Sequence, residues 1–190
     1  MGSHAALAAP SAWVVRFAPL VARGASVLDL ASGGGRHARI FAAMGCDVEA
    51  VDKDADALVP LESVAGVRTV CADLEGGPWP YAERHFDAVV VTNYLYRPRF
   101  TELLACVAPG GLLIYETFMR GNERFGKPSS LEFLLGADEL LQRVEGAFSV
   151  IAFEQGEVAQ PKPAMIQRIC AVRCADADPA LPRIDQPLIP

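Results

Sequence analysis

One stretch of the chain combines residue types that can do chemistry at a spacing that would bring them together: Val27-Leu28-Asp29-Leu30-Ala31-Ser32-Gly33-Gly34-Gly35-Arg36. An apolar run that ends in a glycine loop lets the backbone approach a ligand closely. A helix starting there offers unpaired N–H groups to an anionic group. Nineteen residues after Gly33 stands Asp52, at the end of a second apolar run. A carboxylate in that place accepts hydrogen bonds from both hydroxyls of a ribose. Together these features predict a nucleoside-containing ligand over the carboxyl ends of the first two strands. Gly33-Gly34-Gly35-Arg36-His37-Ala38 also fits the dinucleotide pattern G-x-G-x-x-G/A, which keeps a nicotinamide cofactor as one reading. Asp29 favours another, because a carboxylate four positions before the first glycine is awkward beside a pyrophosphate. It suits a ligand with a cationic end. Its rival role is that of a buried cap for the glycine loop.

Strands and helices in alternation are needed to position these residues. Trp13, Phe17 and Leu20 recur at helical spacing and predict a short helix over 11–18, stopped by Pro19. Strands are expected at 26–30, at 47–51 ending at Asp52, and at 67–72 ending at Asp73. Between them lie a helix over 35–44 with Gly45 as its C-terminal cap, and a helical stretch over 54–64 interrupted by Pro60. Residues 86–92 form the most continuous apolar strand, which suits the centre of a parallel sheet covered on both faces. Phe100, Leu103, Leu104 and Val107 define a further helix, and Pro109-Gly110-Gly111 turns the chain into a strand over 112–117. A helix over 137–145 with Asp138 as its N-cap, then strands over 148–154 and 165–173, complete the pattern. The expected fold class is α/β: a doubly wound, Rossmann-like, mostly parallel sheet with a C-terminal antiparallel strand pair at one edge.

Five pieces in this order resemble the class I S-adenosylmethionine-dependent methyltransferases over residues 12–174. They are Asp29-Leu30-Ala31-Ser32-Gly33-Gly34-Gly35, Val51-Asp52-Lys53-Asp54, Cys71-Ala72-Asp73-Leu74, the strand Phe86 to Thr92 running into Asn93-Tyr94-Leu95, and Leu103 to Ile114 with its Pro109-Gly110-Gly111 turn. Ala31 departs from the pattern, which usually has glycine there; alanine permits the same close approach if its φ is negative. The compact size and the Gly34-Gly35-Arg36-His37 stretch also look like the small tellurite-resistance-type bacterial methyltransferases.

The resemblance implies S-adenosylmethionine as cofactor and S-adenosylhomocysteine as product. It also implies residue roles. Asp29 and the backbone around Ala31, Gly33 and Gly35 would hold the methionine moiety. Asp52 would bind the ribose hydroxyls, with Lys53 beside the adenine. Asp73 would accept from the adenine amino group while the Leu74 N–H donates to the ring. Asn93 and Tyr94 would line the methionine side and face the methyl acceptor, and Tyr94 or Tyr96 would shape the acceptor pocket. Each has a plainer alternative: Asp73 as the start of a turn, Tyr94 and Tyr96 as half-buried aromatics, His37 as a packing or capping residue and Asp87 as a strand cap. Arg120, Arg124 and Lys127, in the irregular loop 116–128, would recognise an anionic acceptor or simply be solvated, and Phe118 and Phe125 could close over the site. No catalytic side chain is expected, because transfer from a sulfonium is an in-line displacement that needs positioning above all.

The bulk properties narrow the class further. With 17 basic and 23 acidic residues among 190, the net charge is −6, which disfavours nucleic acid and anionic lipid as partners. Apolar residues at 52% exclude a disordered chain, and no uncharged apolar run is long enough for a membrane span. Five cysteines without a CxxC pair, and three histidines without ligand spacing, predict reduced thiols in a cytoplasmic protein and no metal site. The expected division is a leading segment over 1–10 that begins like an expression-tag remnant, one methyltransferase domain over 11–175, and a tail over 176–190 with four prolines. A small-molecule acceptor is the expected partner. Two other classes remain as alternatives: an NAD(P)-dependent oxidoreductase, for which no Tyr-x-x-x-Lys is present, and a non-catalytic S-adenosylmethionine-binding module.

Overall fold

The computed structural model describes residues 9–175. Residues 1–8 of the expected leading segment and the whole tail over 176–190 lie outside the described residues. Alternation of apolar side chains within short strands sets the layering. In β1 (Ser26–Leu30), Val27 joins one apolar cluster while Leu28 and Leu30 join the other. In β4 (Phe86–Thr92), Ala88 and Val90 face the first cluster, and Val89 and Val91 face the second. Strands buried on both faces belong to the middle of a parallel sheet.

Among the described residues one sheet contains seven strands in the order β3-β2-β1-β4-β5-β7-β6. The remaining members are β2 (Asp47–Asp52), β3 (Val67–Cys71), β5 (Val107–Phe118), β6 (Phe148–Val158) and β7 (Ala164–Arg173). The first five run parallel, and β7 enters antiparallel between β5 and β6. On one face lie α1 (Ala12–Phe17), α2 (Ala38–Ala43) and α3 (Ala55–Leu58), with Trp13, Phe17, Phe41, Leu58 and Leu61 buried against the sheet. The other face carries α4 (Phe100–Ala105) and α5 (Glu139–Val144), with Phe100, Leu103, Leu140 and Val144 buried.

The elements follow the sequence expectations, with differences that have local causes. Ser11 starts α1 by accepting the Trp13 and Val14 N–H groups, and Pro19 sits inside a 3-10 turn (Ala18–Leu20) instead of ending the chain's helical course. The helix expected from residue 35 begins at Ala38, because Gly33 and Gly35 take φ of 52° and 70° and keep the loop open. Pro109-Gly110-Gly111 does not precede a strand but lies within one: β5 starts at Val107, and its pairing with β4 shifts register between Phe86 and Ala88 to absorb the extra residues. The C-terminal pair is longer than the 148–154 and 165–173 expected.

Asp138 is not the side-chain cap of α5. It adopts φ 57° and its carboxylate accepts from Gln155 Nε2 at 2.7 Å. The N–H that a cap would satisfy, at Leu140, is taken by Gln167 Oε1 from β7 at 2.7 Å. Gln167 is fully buried and also donates to Gly136 O and Gln155 Oε1, so one side chain closes the start of α5 against the sheet.

Candidate functional site

The strand order reverses between β1 and β4, and open α/β sheets bind ligands at the carboxyl ends of strands at such a point. A cleft of about 250 Å³ opens there, lined by Ala31 after β1, Asp52 and Lys53 after β2, Ala72 to Glu75 after β3, and Asn93 and Tyr94 after β4. Seven predicted site residues therefore converge: Ala31, Asp52, Lys53, Asp73, Leu74, Asn93 and Tyr94. Two larger grooves, of about 450 and 420 Å³, lie at the opposite edge around Arg23 and Arg68 and contain none of them.

Two non-glycine residues of this cleft are in the left-handed region, Ala31 at φ 55° and Asn93 at φ 56°. The condition of a negative φ is thus not met at Ala31. The chain must turn sharply out of β1 there, and alanine bears the strain that glycine would avoid. Backbone strain of this kind is held by its surroundings and gathers at functional sites. Asn93 is fixed by its N–H donating to Glu116 O at 2.9 Å, while the next carbonyl, that of Tyr94, accepts from the Tyr115 hydroxyl at 2.8 Å.

The glycine loop and Asp52 form one unit. Gly33 N–H donates to Asp52 Oδ2 at 2.7 Å, and Asp54 N–H donates to Oδ1 at 3.0 Å. Space is open where a Gly33 side chain would be, whereas a Cβ on Gly35 would collide with the Leu61 side chain. Gly35 therefore faces the core, and Gly33 provides the close approach. Asp29 does not line the cleft. It is 1% exposed, and its Oδ2 accepts the Ala38 N–H at 2.9 Å, closing the start of α2. Burial pushes its carboxyl up to about 7, against the pull of that N–H and of Arg36.

After β3, Asp73 bends its own loop: Oδ1 accepts the Glu75 N–H at 3.0 Å, and Gly77 N–H donates to the Asp73 carbonyl at 3.2 Å. Donation from Glu75 and Gly76 holds its carboxyl below the usual range. Leu74 is buried beneath the turn, and Lys53 is exposed at the rim. The Tyr94 hydroxyl is buried without a hydrogen-bond partner, and burial raises its pKa, helped first by the charge of Glu75. Tyr96 is half-buried outside the cleft, where its carbonyl accepts the Arg99 N–H. Ala72 and Glu75 were missing from the predicted set. Their signal was their place beside Asp73 in a strand-end loop.

Toward β5 the edge is tied by side chains. His37 Nε2 accepts the Ser11 N–H at 3.0 Å, which leaves the proton on Nδ1, 3.4 Å from Thr92 Oγ1. Burial pushes this imidazole down to about 3, and Arg36 adds to the effect, so His37 stays neutral. It caps no helix; it holds the chain entering α1. Ser11 Oγ donates to Glu116 Oε1 at 2.7 Å, and Arg168 pairs with Glu116 at 3.1 Å. Asp87 accepts from the N–H and hydroxyl of Ser26 and caps β1, far from the cleft.

The irregular loop after β5 is anchored. Asn122, 2% exposed, donates to Pro128 O at 3.0 Å and accepts from Met165 N–H at 3.1 Å. Arg97 reaches Glu139 at 2.8 Å and the carbonyls of Glu132 and Leu134. Against the upward pull of burial, Arg97 and the Gly136 N–H bring Glu139 down to about 2. Arg124 pairs with Glu157 and stacks on Phe125, which is exposed, as are Arg120 and Lys127; Phe118 is half-buried in β5.

Residues 27–111, from β1 into β5, match the model of a methyltransferase domain family. No curated protein matches the chain in sequence. Among solved structures, TehB from Haemophilus influenzae is similar with a TM-score of 0.72 and 18% identity, covering 87% of this chain and 63% of that one. The chain thus spans less than two thirds of the length of TehB. A TehB-like S-adenosylmethionine-dependent methyltransferase from Corynebacterium glutamicum gives a TM-score of 0.62 at 17% identity, covering 85% of this chain and 86% of that one. The glycopeptide N-methyltransferase MtfA, complexed with S-adenosylhomocysteine, gives 0.61 at 17% identity, covering 88% and 91%. At these identities the structures speak for the fold, and the domain match speaks for residues 27–111. Residues 27–111 thus resemble a methyltransferase domain, and the fold is the one seen in these S-adenosylmethionine-dependent methyltransferases. Among the described residues no helix is long and apolar enough to cross a membrane.

Proposed function

We propose that this protein transfers a methyl group from S-adenosylmethionine to a small-molecule acceptor by in-line displacement. One observation carries the reading. Four strand-end loops meet at the switch point, and the glycine loop orients the Asp52 carboxylate through the Gly33 N–H. Each Asp52 oxygen has a lone pair left after these hydrogen bonds, which suits the two ribose hydroxyls. The open space at Gly33 and the unpartnered Tyr94 hydroxyl fit a ligand of this size and polarity.

When bound, S-adenosylmethionine supplies a methyl group already activated by its sulfonium. Asp29, buried behind the loop, closes the start of α2 and so holds the loop in place at the methionine end. Ala31, Gly33 and Gly35 shape the backbone around it, Lys53, Asp73 and Leu74 border the base, and Asn93 and Tyr94 turn from the methionine side toward the acceptor. Orientation of this kind accounts for roughly 7–11 kcal/mol of barrier in favourable cases. The net charge of −6 supports a small acceptor over nucleic acid, and the buried thiols of Cys46, Cys106 and Cys170 support a cytoplasmic setting.

Calorimetric titration with S-adenosylhomocysteine, with NADH for comparison, tests the donor. Micromolar binding of the first alone is expected; binding of NADH alone would refute the reading. Asp52→Ala is expected to weaken S-adenosylhomocysteine at least tenfold, about 1.4 kcal/mol. Unchanged affinity in a folded variant would remove Asp52 from the ribose.

A further inference from the structure

We infer that the methyl acceptor is a molecule with an apolar body, held beside the cleft by the 3-10 turn Leu131–Phe133, and that it is not an inorganic oxyanion. The inference rests on the methyl-donor reading and names the acceptor class of that site.

Size comes first. The cleft measures about 250 Å³, below the roughly 300–1,000 Å³ of pockets that enclose a drug-sized ligand. The donor alone fills it, so the acceptor must rest on the surface that borders its Tyr94 end. That border is set by Arg97, three residues after Tyr94. Its guanidinium donates to the carbonyls of Leu131, Glu132 and Leu134 at 3.5, 2.6 and 2.8 Å, which pins the turn against the exit of β4. Leu134 and Leu135 are fully buried and root the turn, whereas Leu131 and Phe133 point out, 59% and 42% exposed. Six large apolar side chains are exposed among the described residues, and three of them, these two and Phe125, fall in this one loop. The loop leaves β5 at the carboxyl edge, so the exposure is concentrated beside the cleft, where it marks a binding surface.

The charges on this border point the same way. Arg97 has five N–H groups, and five acceptors take them: both oxygens of Glu139 and the three carbonyls. Arg99 is held by Glu102 and Gly77 O, and Arg124 by Glu157. An oxyanion would have to displace these partners, while an apolar molecule has only to displace water. Arg120 and Lys127 are exposed, and a solvated cation holds a small anion weakly.

The test is calorimetry on protein saturated with S-adenosylhomocysteine, with 2-naphthol as the apolar probe and selenite as the oxyanion. 2-Naphthol is expected to bind at about 0.1 mM or tighter, within reach of a ligand of its size. Selenite should give no saturable heat at the same concentrations. Leu131→Ser and Phe133→Ser together should weaken 2-naphthol at least about fivefold. Both positions are exposed, so the melting temperature and the S-adenosylhomocysteine affinity should stay at the parent values. Val59→Ser removes exposed apolar surface from the opposite face and should leave 2-naphthol binding unchanged. A parent that fails to bind 2-naphthol, saturable binding of selenite, or a double variant that binds 2-naphthol as tightly as the parent would overturn the acceptor class and leave the donor intact. Failure of the parent to bind S-adenosylhomocysteine would overturn the donor reading and this inference together.

Discussion

The β1–β3 side and the β5–β7 side of the carboxyl edge reach the same end by different means. On the β1–β3 side, shape comes from backbone conformation within short stretches. Ala31, Gly33 and Gly35 take left-handed φ, Asp52 receives the Gly33 N–H from 19 residues away, and Asp54 and Asp73 cap turns within two or three residues. On the β5–β7 side, side chains reach far along the sequence. Ser11 meets Glu116 across 105 residues, Arg97 meets Glu139 across 42, and Asn122 meets Met165 across 43. The first construction fails when a methyl group is added; the second fails when a polar group is removed.

The largest expected effect comes from Gly35→Ala. It places a side chain at φ 70° and drives its Cβ into Leu61. Left-handed strain together with overpacking should cost about 3 kcal/mol. Urea unfolding measures it, and a loss below about 1 kcal/mol would show that the loop relaxes and is not set by its backbone. On the other side, Asn122→Ala leaves Pro128 O and the Met165 N–H without partners in a buried place, at a cost of about 2 kcal/mol. Its S-adenosylhomocysteine affinity should stay at the parent value. A parallel fall in affinity would show that the two sides act as one unit.

This contrast also explains what the sequence disclosed. Strand limits on the β1–β4 side were legible to within a residue or two, because apolar runs end at Asp52 and Asp73 and the glycines mark the turn. Seven predicted residues meet in the cleft for the same reason: each lies just after a strand of a parallel sheet, so topology alone brings them together. Gly35 and Asp29 were read toward the ligand, yet one packs on Leu61 and the other closes α2, since a motif does not say which way its members face. The ties of Arg97, Asn122 and Gln167 were illegible. Partners of each stand 27 to 43 residues away, at Leu140 for Gln167, Glu139 for Arg97 and Met165 for Asn122, and carry no periodicity. Asp138 misled because a residue of the right type stood in the right place while Gln167 of β7 reached the N–H from outside the helix.

A pH experiment sharpens the comparison within the first side. Burial raises the Asp29 carboxyl from 3.8 to about 7 and lowers the His37 imidazole from 6.5 to about 3. Between about pH 4 and 7 folded Asp29 holds a proton that the unfolded chain has lost, so its contribution to stability falls as pH rises. Between about pH 3 and 6.5 unfolded His37 binds a proton that the folded form refuses, so its contribution rises with pH. In the parent the two oppose each other over most of this range. Asp29→Asn removes the falling part, and its stability should climb more steeply with pH than the parent's, by up to about 1.4 kcal/mol per pH unit. His37→Gln should climb less steeply by a similar amount. Parallel curves for parent and variants from pH 4 to 7 would show that neither group titrates as its burial implies.

The smallest effect tests the strain itself. Ala31 sits at φ 55°, which costs an alanine about 1 kcal/mol that glycine does not bear. Glycine also makes the unfolded chain more flexible, which takes back about 0.5 kcal/mol. Ala31→Gly should therefore stabilise the protein by about 0.5 kcal/mol in urea unfolding. Asn93→Gly should bring no such gain, although Asn93 has nearly the same φ of 56°, because asparagine tolerates the left-handed region better than alanine. A stability loss in Ala31→Gly would mean that the alanine methyl, packed at the edge of the second apolar cluster, outweighs the strain. The sharp exit from β1 would then be held by side-chain packing, as the β5–β7 side is.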